Sequence, residues 1–291
     1  MTYPILDILI STLNGGINNI PNILLPARND VRYIISHQIT EKKFKKIPSC
    51  LLKRNDVLIS QITGKGVNKS RNNAMRLSTG KICLFADDDV IYKNEYLDII
   101  IKSHQDNPNF DIIVFKALVP YQKKYPDTSY EIFYTNRKHS IMSIEISFKA
   151  DRVREKRLLC DERFGLGNPI TNGGSEVVFI FDAFKNGLRF LFIPQIIVEH
   201  PQENTIRKLP KYAIKKLRVS GALNAKKYGW ISICKIIYET ITEVHIILKD
   251  KANPISITYE KIIGALYILK TQKYKYKIEE YELKNIIKFK P

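Results

Sequence analysis

The run Phe85-Ala86-Asp87-Asp88-Asp89-Val90 sets three carboxylates directly after an apolar segment. Acids crowded at a strand end repel one another unless a cation or hydrogen-bond donors compensate. Hard oxygen ligands of this kind suit Mg²⁺ or Mn²⁺. A metal held there could bridge a diphosphate and neutralise charge on a departing group. Taken alone, the triplet is equally well an acidic turn that caps the following helix.

Other residues are able to do chemistry. Glu176 follows Gly173-Gly174-Ser175 at the start of a predicted helix. A carboxylate can take a proton from a hydroxyl within hydrogen-bond reach, and a helix start favours its ionised form. The same dipole makes Glu common in first helical turns, so a structural role is the simpler reading of Glu176 by itself. His200 ends an extended segment, where it is either a ligand or an ordinary strand-end histidine. Arg71 sits on a predicted helix, as an anion contact or a solvated side chain. Cys50, Cys83, Cys160 and Cys234 form no CxxC pair, which argues against a zinc ribbon and for a reducing compartment.

The elements that must hold these residues follow from periodicity. Ile5 to Ser11, Val31 to Ser36, Val57 to Gln61, Ile82 to Ala86 and Asp111 to Phe115 read as strands. Asn68 to Leu77, Asn94 to His104 and Glu176 to Lys185 read as helices. A short helix is expected after Gly15-Gly16, and Ile141 to Phe148 reads as a further strand. Arg189 to Pro194 and Gln195 to His200 read as extended. This alternation predicts an α/β fold with a mixed, mostly parallel sheet covered by helices. In such sheets ligands bind beyond the carboxyl ends of the strands, which is where the acids fall. Val119 to Ser140 has no clear pattern and is rich in Tyr, as a functional loop or as an excursion that packs its own aromatics.

The chain of 291 residues has a formal net charge of +18. Such a surplus favours anionic partners, although solubility and an AT-rich coding bias also raise Lys content. No basic region followed by a long apolar core opens the sequence, so no signal peptide is expected. No stretch is apolar for the roughly 20 residues a spanning helix needs. Between Ile206 and Trp230 there are eight Lys or Arg and no acid. The domain boundary is set there, giving a catalytic domain over 1–205 and a basic, mainly helical extension over 206–291. A basic helix ending in an aromatic suits an anionic membrane surface; a solvated helix packed on the domain fits nearly as well.

Several motifs then fall in one order. Gly64-Lys65-Gly66-Val67-Asn68-Lys69-Ser70-Arg71-Asn72-Asn73-Ala74 precedes Gly80-Lys81-Ile82-Cys83-Leu84-Phe85-Ala86-Asp87-Asp88-Asp89. Asp161 to Gly167, Gly173-Gly174-Ser175-Glu176, Phe184-Lys185-Asn186-Gly187, Phe192-Ile193-Pro194 and Glu199-His200-Pro201 follow. This run resembles the family-two glycosyltransferases with the GT-A fold over roughly residues 5 to 201. The resemblance implies a single GT-A, Rossmann-like nucleotide-diphospho-sugar transferase domain, with residues 206–291 as its helical extension. Asp87 and Asp89 match the two acids of the family's DxD motif. Asp89 would bind the divalent metal, Mn²⁺ or Mg²⁺, with Asp87 on the metal or the donor ribose and His200 as a third ligand. Thr12, Arg71, Asp87 and Asp88 would line the nucleotide-sugar. Glu176 would be the catalytic base, with Asp161 and Glu162 the next candidates. The resemblance further implies transfer with inversion to an acceptor hydroxyl, on a glycan or lipid carrier, in polysaccharide or related glycan synthesis. The expected setting is cytoplasmic, peripheral on the inner membrane face, with no nucleic-acid partner.

Two departures from the family stand out. Its acids after the second strand are replaced here by Ser36-His37-Gln38, which leaves recognition of the base open. The acidic pair at the later helix is Ser175-Glu176. Two rival classes remain. A nucleotidyltransferase would need a Gly-rich triphosphate loop, of which Asn14-Gly15-Gly16 is a poor version. A basic nucleic-acid binder would account for the net charge and for neither motif.

Overall fold

A computed structural model describes residues 4–136, 138–201, 209–271 and 286–288. The chain divides into two compact units. The first comprises Met1–Cys160, Phe179–Glu203 and Glu282–Pro291; the second comprises Asp161–Val178 and Asn204–Tyr281. The boundary expected at residue 206 lies outside the described residues.

The first unit is built on one sheet. Its strands are β1 (Leu6–Leu13), β2 (Val31–Ile39), β3 (Val57–Thr63), β4 (Ile82–Asp87), β5 (Ile112–Leu118), β6 (Tyr130–Ile132), β7 (Ile146–Lys149), β8 (Phe190–Glu199) and β9 (Ile286–Lys288). They lie in the order β6-β8-β5-β7-β4-β1-β2-β3-β9. The long pairings β1 with β2, β1 with β4, β2 with β3 and β5 with β8 are parallel. The short pairings of β6, β7 and β9 are antiparallel. The mixed, mostly parallel sheet expected from the sequence is present.

The central strands read as continuous apolar runs because both sheet faces are covered. In β4, Ile82, Leu84 and Ala86 enter one core with Leu6, Ile8 and Ile10 of β1. Cys83 and Phe85 enter the other with Leu9. Helix α1 (Ser49–Lys53) is a short turn before β3. Helices α2 (Val67–Leu77) and α4 (Ala150–Glu155) bury Ala74, Met75, Ala150 and Val153 in the second core. Helix α3 (Asn94–Asp106) packs Leu97, Ile100 and Ile101 into the first. Helix α5 (Ser175–Lys185) adds Phe179, Ile180 and Ala183 to the second. Gly80 of the motif run is needed for close approach. Its N–H donates to the buried Asp7 carboxylate at 2.7 Å, and a Cβ there would stand 2.9 Å from Asp7 Cγ.

Some elements differ from expectation. The strand expected over Ile141 to Phe148 is confined to Ile146–Lys149, and a 3₁₀ turn, Ser143–Glu145, precedes it. The cause is Glu145, which is fully buried. The turn lets its carboxylate accept from Lys123 Nζ at 2.5 Å and from the Met142 N–H at 2.8 Å. The Tyr-rich stretch is not wholly a loop, since Tyr130–Ile132 pairs with β8. Its aromatics pack against β8: Tyr125 stacks on Phe192, with ring centres 6.4 Å apart, and His139 meets the same ring at 4.7 Å. The two extended segments near the end of this unit form one strand, β8. Pro194 falls where the β5–β8 register shifts, so its missing N–H interrupts no regular ladder.

The second unit contains α6 (Ile214–Tyr228), α7 (Ser232–Thr242), α8 (Val244–Lys249) and α9 (Pro254–Lys270). Phe164, Val178, Ala222, Ala225, Ile236, Ala265 and Ile268 form its core. Helices α6 and α9 cross main chain to main chain. A Cβ on Gly221 would stand 1.7 Å from the Lys261 carbonyl oxygen, and one on Gly264 would stand 1.9 Å from that of Arg218. Beside the crossing, Arg218 Nε donates to Glu260 at 2.7 Å. Asp161 is clasped by Arg163 and, at 2.9 Å, by Lys226 of α6. The apolar side of α6 is thus already covered, with Leu217, Gly221, Ala222 and Ala225 buried.

Candidate active site

The acids follow from how β4 ends. Asp87 is its last residue and pairs in register with Ser11 of β1. The chain then turns, and the three carboxylates take three directions. Asp88 turns inward, where the Thr12 hydroxyl donates to its Oδ2 at 2.5 Å. Burial pushes the Asp88 carboxyl above its ordinary value, and Asp87 and Asp89 push the same way against the Thr12 hydrogen bond. Gly16 makes room for this arrangement. A Cβ there would stand 2.0 Å from Asp88 Oδ2 and 2.5 Å from Thr12 Oγ1.

Asp87 meets Arg71 of α2, whose Nη2 lies 3.2 Å from Oδ1. Arg71 is buried, lies over the Phe85 ring at 5.6 Å, and donates from the same nitrogen to Ser143 Oγ at 2.7 Å. The guanidinium is therefore fixed before any ligand arrives, and it fixes Asp87 in turn.

Asp89 meets His200, with Nε2 3.4 Å from Oδ1. More than a hundred residues separate them, and a small bridge brings them together. Ile91 and Glu199 exchange backbone hydrogen bonds at 2.9 and 3.0 Å, and the His200 N–H donates to the Leu118 carbonyl at 2.8 Å. The Glu199 side chain is held by Lys93 at 2.5 Å and by the Tyr96 hydroxyl at 2.8 Å.

These residues fit a divalent cation in part. Among the described residues, no group of three or more His, Cys, Asp and Glu side chains stands ready to hold a metal. Asp89 and His200 nonetheless supply one hard oxygen and one imidazole nitrogen side by side. Mg²⁺-type sites commonly take one or two protein ligands and complete their shell with phosphate oxygens and water. Ser11 Oγ, buried beside Asp87, has no hydrogen-bond partner among the described residues. A polar atom in that state is suited to receiving a ligand.

The end of β2, where acids were missing, is occupied by internal bonds. His37 is fully buried, and burial lowers its imidazole toward the neutral form. A carbonyl can only accept, so Nε2 donates to Asn14 O at 2.8 Å. Nδ1 is then left to accept from Gln61 Nε2 at 3.2 Å, and that amide also donates to Lys45 O at 2.8 Å. The chain of bonds links the 14–18 turn to the 42–45 turn. Between these turns lies a cavity of about 300 Å³ lined by Asn14, Gly15, Ile17, Asn18, Phe44 and Lys46 among others.

The structure thus gathers Thr12, Arg71, Asp87, Asp88, Asp89 and His200 at the carboxyl ends of β1, β4 and β8. Glu176 stands in the second unit, in the first turn of α5. Gly174, just before it, has φ +77°, and a Cβ there would meet Val219 at 3.1 Å. That explains a glycine ahead of the helix. Ser11 and Ser143 were not foreseen, and His37 and Glu199 were noted in the sequence without the roles they take here. The neighbourhoods of Ser11 and Ser143 are ordinary, and only the doublet Gly15-Gly16, two residues past Leu13, hinted that something would lie against the first strand's end.

Comparison with known proteins bears on the fold. The sequence model of glycosyl transferase family 2 matches residues 39–159. No curated protein sequence matches the chain. Among solved structures, S. aureus TarS 1-349 is similar at 14% identity and a TM-score of 0.57, over 76% of this chain and 64% of that one. The same protein in complex with UDP-GlcNAc is similar at 14% identity and a TM-score of 0.55, over 76% and 66%. Its complex with UDP gives 14% and 0.55, over 76% and 64%. The chain spans about two thirds of the length of these relatives, and the likeness shows that they share the GT-A fold.

Proposed function

We infer that this chain, a family-two-like glycosyltransferase by its GT-A fold and its matched segment, moves a sugar from a nucleotide-sugar donor to an acceptor hydroxyl. The observation that carries the reading is the Asp89–His200 pair at 3.4 Å, set beside Asp87 and the inward-turned Asp88. Asp89 and His200 would hold the divalent metal, Mn²⁺ or Mg²⁺, with Asp87 next to it. When bound, such an ion supplies positive charge to a diphosphate leaving group.

The chain's own residues do the rest. Arg71 keeps Asp87 from turning away, and Thr12 keeps Asp88 from crowding the other two acids. Ser11 Oγ and the cavity beyond Gly15 offer a polar contact and a space for the nucleoside. Glu176 is the base that takes the acceptor proton, and transfer proceeds with inversion. The acceptor is a glycan or lipid-linked hydroxyl in polysaccharide or related synthesis. The enzyme works in the cytoplasm, peripherally at an anionic membrane surface.

A thermal-shift panel of nucleotide-sugars with and without Mn²⁺ tests this. A ligand that binds only the folded state raises its apparent stability. The expected result is a rise for one nucleotide class that needs the metal. No rise with any nucleotide-sugar, with metal or without, would end the reading.

A further inference from the structure

Helix α7 packs one face inward and leaves a largely apolar face outward. Its inner face buries Ser232, Ile236 and Thr240. Its outer face carries Ile237, Tyr238 and Ile241, which are 42%, 68% and 65% exposed, and Trp230 and Ile231 just before it are 63% and 73% exposed. Leu248 of α8, the next helix, is also exposed, at 58%. A helix on the surface of a soluble domain normally turns charged residues outward. Large exposed apolar patches mark interaction sites.

We propose that this outer face of α7, with Trp230, Ile231 and Leu248, is the surface by which the protein docks on an anionic lipid bilayer. It deepens the membrane-side reading above by moving the contact from α6, whose apolar side is buried, to α7. Three observations select a bilayer. The exposed aromatics, Trp230 and Tyr238, are apolar rings with a polar tip, the side chains that settle at the level of lipid headgroups. The surroundings are basic: residues 209–271 hold eleven Lys and Arg against four acids. Lys227 and Lys235 lie over the Tyr228 ring at 4.9 and 5.2 Å, Lys235 being also paired with Glu239 at 3.2 Å. Lysines so placed can rest their stems on apolar surface and reach phosphates with their ammonium groups. A second copy of the chain is a poorer occupant. Lys is depleted at protein interfaces, and two faces of the same positive sign repel. No helix among the described residues is long and apolar enough to cross a membrane, so the contact lies in the surface plane.

Trp230 is the sole tryptophan of the sequence, so it reports its own environment. The experiment uses the full chain and vesicles of phosphatidylglycerol with phosphatidylcholine, against vesicles of phosphatidylcholine alone. The expected result is flotation with the anionic vesicles, weakened by salt, and a blue shift of Trp230 emission on binding. The triple variant I231E/Y238E/I241E is expected to partition more than about tenfold less. Its melting temperature and its circular dichroism serve as folding controls. Should the triple variant fail them, the single variant Ile231→Glu, at the most exposed of the three positions, is read in its place. Equal flotation of parent and folded variant overturns the proposal. So does the absence of both flotation and blue shift, or a dimer in ultracentrifugation that the variant splits while vesicle binding stays absent. Vesicle binding and nucleotide binding are read separately, so loss of this idea leaves the transferase reading to its own test.

Discussion

His200 Nε2 lies 3.4 Å from Asp89 Oδ1, and the Ile91–Glu199 bridge holds the two side chains together across the sheet. The pair offers a cation two different donor atoms in one place. Asp89→Asn and His200→Ala should each weaken Mn²⁺-dependent binding of a nucleoside diphosphate by about tenfold or more, a loss of ~1.4 kcal/mol or more. Calorimetry with and without Mn²⁺ measures this. Parental affinity in both variants would remove the pair from the metal site.

Gly16 should tolerate no side chain. In Gly16→Ala the new methyl would sit 2.0 Å from Asp88 Oδ2, so the carboxylate must leave Thr12. Overpacking of this kind costs about 1–3 kcal/mol. Denaturant unfolding is expected to show a lower midpoint, and diphosphate binding is expected to weaken with it. Ala at Gly15, where nothing lies within 4 Å of the added carbon, is the control for unfolding and should match the parent's midpoint.

Glu176→Gln keeps size and polarity but loses proton affinity. Turnover should fall by a factor on the order of 10²–10⁴, while donor affinity stays unchanged. Asp89→Asn should instead lower donor affinity and turnover together. Steady-state kinetics and calorimetry on both variants distinguish the two roles. Near-parental turnover in Glu176→Gln would shift attention to Glu162, since Asp161 is held in its salt link with Arg163 and Lys226.

The second unit should lose stability in acid through Asp161. Burial alone would raise this carboxyl, but the Arg163 hydrogen bond and the charges of Lys226 and Arg163 outweigh it and hold the group at about 2, below the ordinary 3.8. A carboxyl depressed by folding contributes stability above its unfolded value and loses it as pH falls through the folded one. The contribution of about 2 kcal/mol is therefore complete above about pH 4 and is lost toward pH 2. Unfolding of the parent and of Asp161→Asn across this range is the measurement. The gap between them should close as pH falls, because both side chains are then neutral. A gap that stays constant with pH would mean the salt link is not its source.

Much of the first unit was legible because its strands are short, apolar and separated by glycine-marked turns. The acids after Ala86 were visible for the same reason, since three carboxylates cannot follow a buried strand without consequence. Their separate fates were not visible. Asp87, Asp88 and Asp89 look alike in sequence, and only Arg71, Gly16 and His200, brought in from three other segments, tell them apart. The 3₁₀ turn at Ser143–Glu145 was hidden too, because one buried acid with a distant lysine overrode local strand preference. In the later helices, the density of lysines in α6 hid the burial of its apolar side. Charge is read easily along a chain, whereas burial of Leu217 and Ala222 depends on α9, which arrives some forty residues later.

The crossing of α6 and α9 has a consequence for how this protein can change. Where two side chains touch, one can grow if the other shrinks, and the pair can drift together through generations. At Gly221 and Gly264 the opposing surface is a peptide carbonyl in each case. Every residue type carries that same carbonyl, so no replacement at Lys261 or Arg218 can make room for a methyl opposite. The two positions should therefore leave no trace of paired change among descendants of this sequence, although they touch the same crossing. Their constancy, if it is ever tabulated, would record a helix spacing and would be easily mistaken for the mark of a ligand.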